Sequence, residues 1–181
     1  MLFNFNINIT EDDYLNYNLF HSLESSHGRK MALKGRIIYV SVLLALAALV
    51  LIVLGFTMFS IIYDAILLIM VLRYMVFYKK IVGRSIKRYI IRLKKMGKLP
   101  FDSESTFEFY EDKIIETTPT KRTEIQYDGI ERVCLVSNRY AFFYNSISSA
   151  YVLPIPQIKE QVNFTEFVSF ISKKCKNVEY Y

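Results

Sequence analysis

A chain of 181 residues has room for one modest domain and a further segment. Hydrophobic residues make up 52% of it and mean hydropathy is +0.21, with only 6 Gly, 4 Pro and 2 Cys, which excludes collagen-like, low-complexity, wholly disordered and disulfide-scaffold classes. The net charge of +6 is segregated: residues 1–36 are balanced, 37–100 carry ten basic residues against Asp64 alone, and 101–181 carry nine basic against twelve acidic. The segment with soluble-domain character is therefore acidic, which argues against a nucleic-acid partner.

Phe3, Phe5, Ile7 and Ile9 alternate with Asn4, Asn6 and Asn8, the pattern of a half-buried strand that cannot stand alone. The expectation is that it joins the C-terminal sheet across nearly a hundred residues. Thr10 with Asp13 predicts a helix to about Ser25, with Leu15, Leu19 and Leu23 on the face that packs on the sheet or lies at a membrane surface.

From Ile37 to Tyr78 only Asp64 and Arg73 are charged. One helix of that length would run about 63 Å, twice the roughly 30 Å hydrocarbon core. Gly55 to Ser60 breaks the run into spans 37–54 and 61–78, each about 27 Å long, so 37–78 is expected to be a transmembrane hairpin. A signal peptide is the rival for the first span, but 36 mixed polar residues precede it and its apolar run is too long. Four Lys or Arg precede the first span, nine follow the second and none lies between, which predicts a multi-pass protein with both termini cytoplasmic. Asp64 and Arg73 are intramembrane charges near the outer and inner ends, about 13.5 Å apart along the axis, too far to pair. Asp64 is read as a loop-proximal carboxylate, with ion or proton coupling as the functional rival. Ala45, Ala47, Ala48 and Gly55 would permit close packing in a homo-oligomer.

Residues 79–98 form a basic amphipathic helix. Val82, Ile86, Tyr89, Leu93 and Met96 recur at helical spacing, and Gly97 and Pro100 end it. Lys79, Lys80, Arg84, Lys87, Arg88, Arg92, Lys94, Lys95 and Lys98 are the candidate membrane-surface residues. Each is worth up to ~1 kcal/mol near an anionic leaflet. The helix either bends along the leaflet or continues the second span.

Beyond Pro100 the period becomes two. Strands are expected at 105–110, 113–117, 123–127, 132–137, 140–145 and 150–153 as a meander, then a helix from Asn163 to about Lys176 with Phe164, Phe167, Ile171 and Cys175 buried. Exposed members of Phe142, Phe143, Tyr144 and Tyr151 are the candidate interaction surface.

This order of parts resembles the YcxB-like family of bacterial membrane proteins. The resemblance rests on Glu11-Asp12-Asp13-Tyr14-Leu15, the hairpin, the basic segment, Phe107 through Ile115, Ile125 through Val133, Tyr140 through Tyr144, and Leu153-Pro154. Tyr127 departs from it, standing where family members usually carry Trp. The resemblance implies a pleckstrin-homology-like C-terminal domain and no assigned chemistry. The expected class is thus an α+β membrane protein: cytoplasmic strand and helix (1–36), hairpin, basic helix, and a 99–181 domain built as a small β-sheet or barrel closed by its C-terminal helix. Its place would be the bacterial cytoplasmic membrane.

His21 and His27 have no Cys or carboxylate at ligand spacing, Cys134 and Cys175 read as buried small hydrophobes, and no phosphate loop or nucleophile motif occurs. Asp102 and Glu104, like Glu108, Glu111 and Asp112, read as solvated faces. The expectation is a non-enzyme without cofactor or metal, whose partners are the bilayer and a protein or anionic lipid headgroup. The rival is a membrane-embedded accessory or immunity-type protein acting through its hairpin.

Overall fold

A computed structural model of the chain describes residues 1–147 and 149–181. They form an α+β protein with two long apolar helices and two four-stranded sheets, arranged as two compact units, 1–17 with 90–181 and 18–89.

In the first unit, β1 (Phe3–Asn8), β2 (Glu104–Phe109), β3 (Lys113–Thr117) and β4 (Arg122–Gln126) make one antiparallel sheet in that order. The N-terminal strand pairs as its alternation predicts, Phe3 with Phe109 through Asn8 with Glu104. Register places Phe5, Phe107 and Glu116 in one row and Ile7 and Ser105 in the next, all on the inner face.

The expected single meander is instead divided. A 3-10 turn at Tyr127–Gly129 reverses the chain, and β5 (Arg132–Val136), β6 (Tyr140–Tyr144) and β7 (Ala150–Pro154) begin a second sheet. Its fourth strand, β8 (Val178–Tyr180), lies parallel to β5 and gives the order β7-β6-β5-β8. The described strands form two open sheets, not a closed barrel.

Helix α1 (Glu11–Leu23) packs its first turns on β6 through Tyr17, whose ring lies 5.4 Å from that of Phe142, while the Tyr140 hydroxyl donates to Asp13 Oδ1 at 2.9 Å. The buried residues of α1 are Tyr17 and Phe20, with Leu15, Leu19 and Leu23 only half-buried; Tyr17 is covered because β6 offers the Phe142 and Tyr144 rings that its own ring matches. The opposite face of β6 points Phe143 at Phe109, 6.0 Å away. Ala141 through Tyr144 are consequently all buried, a strand covered on both sides.

Two further helices follow, α4 (Ile155–Lys159) and α5 (Phe164–Lys174). Asn163 caps α5 by accepting from Thr165 and Glu166 N–H. Phe167 of α5 is the centre of the core, with Phe3, Phe5 and Phe109 rings 5.0–5.4 Å away. Phe164 is half-buried, not buried as its spacing suggests, and α5 ends one residue before Cys175.

The short helix α4 and the turn after it complete the β1 edge. Gln157 accepts from Asn8 N–H and donates to Asn8 C=O, and Gln161 does the same for Asn6, all at 2.8–2.9 Å. Two side-chain amides thus stand where another strand would lie.

The two long helices are α2 (Ser26–Leu54) and α3 (Met58–Lys95), of 29 and 38 residues; the second unit holds all of α2 and α3 as far as Tyr89. The polar stretch 26–36 is helical and continuous with the first apolar run, which its lack of an apolar stripe concealed. Ser25 caps α2 by accepting from Gly28 N–H at 2.9 Å. Gly28 has no alternative there, since a Cβ would stand 2.1 Å from His21 C=O.

Candidate functional site

Both long helices are apolar enough to cross a membrane, and only 6% and 11% of their apolar windows are buried within the structure. A core helix of a globular protein would be mostly covered. Here Ile52, Val53 and Val76 are 70–80% exposed, and in 37–78 only Leu43, Ser60 and Leu67 are buried. Apolar area turned outward on this scale needs an apolar solvent or partner.

The connection between the helices is tight, and Gly55 and Thr57 are hydrogen-bonded within it. Gly55 ends α2 at φ +63, a conformation that costs glycine nothing. Thr57 N–H donates to Ser60 Oγ (2.9 Å), Ser60 N–H donates to Thr57 Oγ1 (3.3 Å), and the Ser60 hydroxyl reaches the Gly55 carbonyl at 2.7 Å. This reciprocal cap satisfies backbone groups where hydrocarbon would not. At the opposite end, the Tyr39 and Tyr74 rings lie 4.0 Å apart and the Arg36 guanidinium stacks 4.2 Å from the Tyr78 ring. These polar-tipped rings mark one end of the apolar zone.

Of the two charges inside the apolar run, Arg73 is exposed and Asp64 half-buried, with Asp64 Oδ1 buried and accepting no hydrogen bond among the described residues. The structure does not bring them together.

All nine candidate basic residues, Lys79, Lys80, Arg84, Lys87, Arg88, Arg92, Lys94, Lys95 and Lys98, are exposed. Eight lie on α3, which runs unbroken through Lys95, so the basic segment continues the second apolar run without a break. Its covered face is Val82, Gly83, Ile86, Ile90 and Leu93, where Ile90 replaces the expected Tyr89, which is exposed. Leu19 packs 3.5 Å from where a Gly83 Cβ would be. Only Lys94 has a carboxylate partner among the described residues, Glu11 at 2.6 Å.

The aromatic surface expected on the C-terminal strands is absent: Phe142, Phe143 and Tyr144 are at most 2% exposed and Tyr151 is half-buried. The physical reason is the double coverage of β6 by α1 and by the first sheet. Cys134 and Cys175 are buried free thiols, which burial raises to about 12 and about 11. No group of three His, Cys, Asp or Glu positioned for a metal occurs among the described residues.

One polar site escaped the sequence reading. Glu116 and Ser105 sit on the inner face of the first sheet, each at least nine-tenths buried. Parity with Ile114 was the available signal, since residues two apart share a face. Burial pushes the Glu116 carboxyl above its ordinary range, with Lys121 Nζ, 3.4 Å away, opposing it. No family model, curated protein or solved structure matches the chain.

Proposed function

We propose that the protein is an integral protein of the bacterial cytoplasmic membrane, with α2 and α3 as its two spans and both termini cytoplasmic, that displays a non-catalytic interaction domain. The observation carrying this is the outward-turned apolar surface of two helices joined by a three-residue capped turn, with the nine basic residues of 79–98 beyond the other end of the second apolar run. Nine exposed cations, each worth up to ~1 kcal/mol at an anionic leaflet, supply both orientation and surface attraction. The two small sheets with a helix near the C-terminus have the element content that a YcxB-like, pleckstrin-homology-like domain would have, and that family is the proposed affiliation. Its partners would be anionic headgroups or a protein.

The test is labelling with a membrane-impermeant maleimide. Phe56→Cys should react from outside intact cells, and Lys98→Cys only after permeabilisation, with the protein resisting alkaline carbonate extraction. Release by carbonate, or the reverse labelling, refutes the reading.

One observation favours a second reading, in which the hairpin itself acts as an accessory or immunity-type element. Asp64 Oδ1 is a buried acceptor with no hydrogen bond among the described residues, inside an apolar helix. Under this reading Asp64→Asn abolishes the phenotype of the intact protein; under the first it is silent.

A further inference from the structure

Between the two sheets of the first unit lies a cleft of about 190 Å³, room for about six waters at ~30 Å³ each. Two of its lining atoms, Ser105 Oγ and Glu116 Oε2, are buried and make no hydrogen bond among the described residues. A buried polar oxygen without a close donor is costly, and native proteins rarely leave one so. Lys121 is an incomplete answer: its Nζ pairs with Glu116 Oε2 only at a long 3.4 Å, from a side chain that is more than half exposed and free to turn to water.

The rest of the lining says what kind of molecule would complete the site. Hydrogen bonds from the Thr118 and Thr120 hydroxyls, the latter at 2.7 Å, hold the Asp102 carboxyl at the cleft rim below its ordinary range, so two carboxylates face one lysine and the cleft is net acidic. The walls are aromatic: the Tyr14 and Phe101 rings lie 5.1 Å apart on one side, and Phe107 and Tyr151 meet edge to face at 6.1 Å on the other. Ring faces beside carboxylates attract a cation. Ser105 and Glu116 stand diagonally on neighbouring strands, roughly 7–8 Å apart at the backbone, with both side chains on the inner face that lines the cleft.

We infer that this cleft binds a small primary ammonium ion, which donates to Glu116 Oε2 and Ser105 Oγ with its alkyl part against the aromatic walls. A quaternary ammonium lacks the donors that these two acceptors would take, and a carboxylate or phosphate meets the wrong charge.

The experiment uses the full chain in detergent micelles, with ethanolammonium as the probe and acetate and tetramethylammonium as controls, read by backbone amide shifts. Ethanolammonium should move the Ser105 and Glu116 amides saturably, and the controls should move them far less. Glu116→Gln, which keeps size and shape, should weaken the probe about tenfold, the loss of one hydrogen bond to a charged group. Glycerophosphoethanolamine in place of ethanolammonium tells a lipid headgroup from a free amine, since only the former needs room for the phosphodiester. Unmoved amides, equal response to acetate, or undiminished binding by a folded Glu116→Gln variant would overturn the inference, leaving a cleft that holds water only.

Discussion

The glutamine pair at the β1 edge yields a sharp test of how this domain closes its first sheet. Gln157→Ala with Gln161→Ala removes four hydrogen bonds of 2.8–2.9 Å that pair both backbone groups of Asn6 and Asn8. Each such bond is worth a net ~0.5–1.5 kcal/mol. Asn6 and Asn8 are exposed, so water replaces the lost partners, and each alanine releases a side chain whose ordering cost up to ~2 kcal/mol. The low end applies, about 1 kcal/mol per glutamine. Locally that is about a fivefold rise in opening for each, read by amide hydrogen exchange. The rise should be confined to the Asn6 and Asn8 N–H groups, whereas Phe5 and Ile7, which pair with β2, keep their protection. The double variant should also self-associate at high concentration, because a bare strand edge is a pairing template. Unchanged exchange at Asn6 and Asn8 would refute the argument, since these amides would then owe their protection to something other than the glutamines.

Four other outcomes follow from the packing and the titrating groups. Gly28→Ala should lower the thermal unfolding temperature, because overpacking of about 1–3 kcal/mol exceeds any helix-propensity gain, while Gly35→Ala, with nothing within 4 Å of its Cβ, should be neutral or stabilising. Ser60→Ala should cost about 1 kcal/mol through the lost cap, measured by unfolding in detergent; an unaffected variant would mean that water reaches the turn. Burial raises Glu116 above its ordinary 4.5, so the folded chain holds a proton there that the unfolded chain has released, and stability falls as pH rises through that window. Glu116→Gln should therefore gain in denaturation midpoint at neutral pH and lose the gain on acidification; a gain that grows in acid contradicts the assignment. With thiols at about 12 and about 11, Cys134 and Cys175 should resist maleimide in the folded protein at pH 8 and both react after denaturation.

What could be read in advance was whatever repeats with a period. The Phe/Asn alternation of residues 3–9 announced a strand, and needing a partner, it pointed to the sheet that it joins. The two apolar runs were equally plain. Features settled by tertiary contact were silent: Val178-Glu179-Tyr180 is too short to show a period, and its parallel pairing exists only because β5 has an open side. The division into two sheets depends on where the Tyr127–Gly129 turn points the chain, and the flanking strands alternate alike on either side of it. Gln157 and Gln161 look like two solvated residues one helical turn apart until the β1 edge is beside them. In the candidate site, the exposure of nine cations followed from their number, but the burial of Phe142 and Tyr144 did not, since alternation assigns one face of a strand to solvent unless a helix covers it.

The handling of polar groups elsewhere in the chain gives the cleft its weight. Where the turn after Gly55 buries a serine, that hydroxyl is donor and acceptor at once. Where β1 offers an edge, two amides pair it, and where α5 begins, Asn163 takes two N–H groups. Even Arg36, whose Nε has no hydrogen-bond partner, lays its guanidinium on the Tyr78 ring. Asp64 Oδ1 is left without a hydrogen bond among the described residues, but it stands alone in an apolar helix; Ser105 Oγ and Glu116 Oε2 share one acidic, aromatic-walled cleft with only the long Lys121 ion pair between them, which is where a ligand would sit. The isosteric glutamine at 116 separates the two roles: if it stabilises the fold and weakens the ammonium probe together, the carboxylate is retained for binding at the expense of stability.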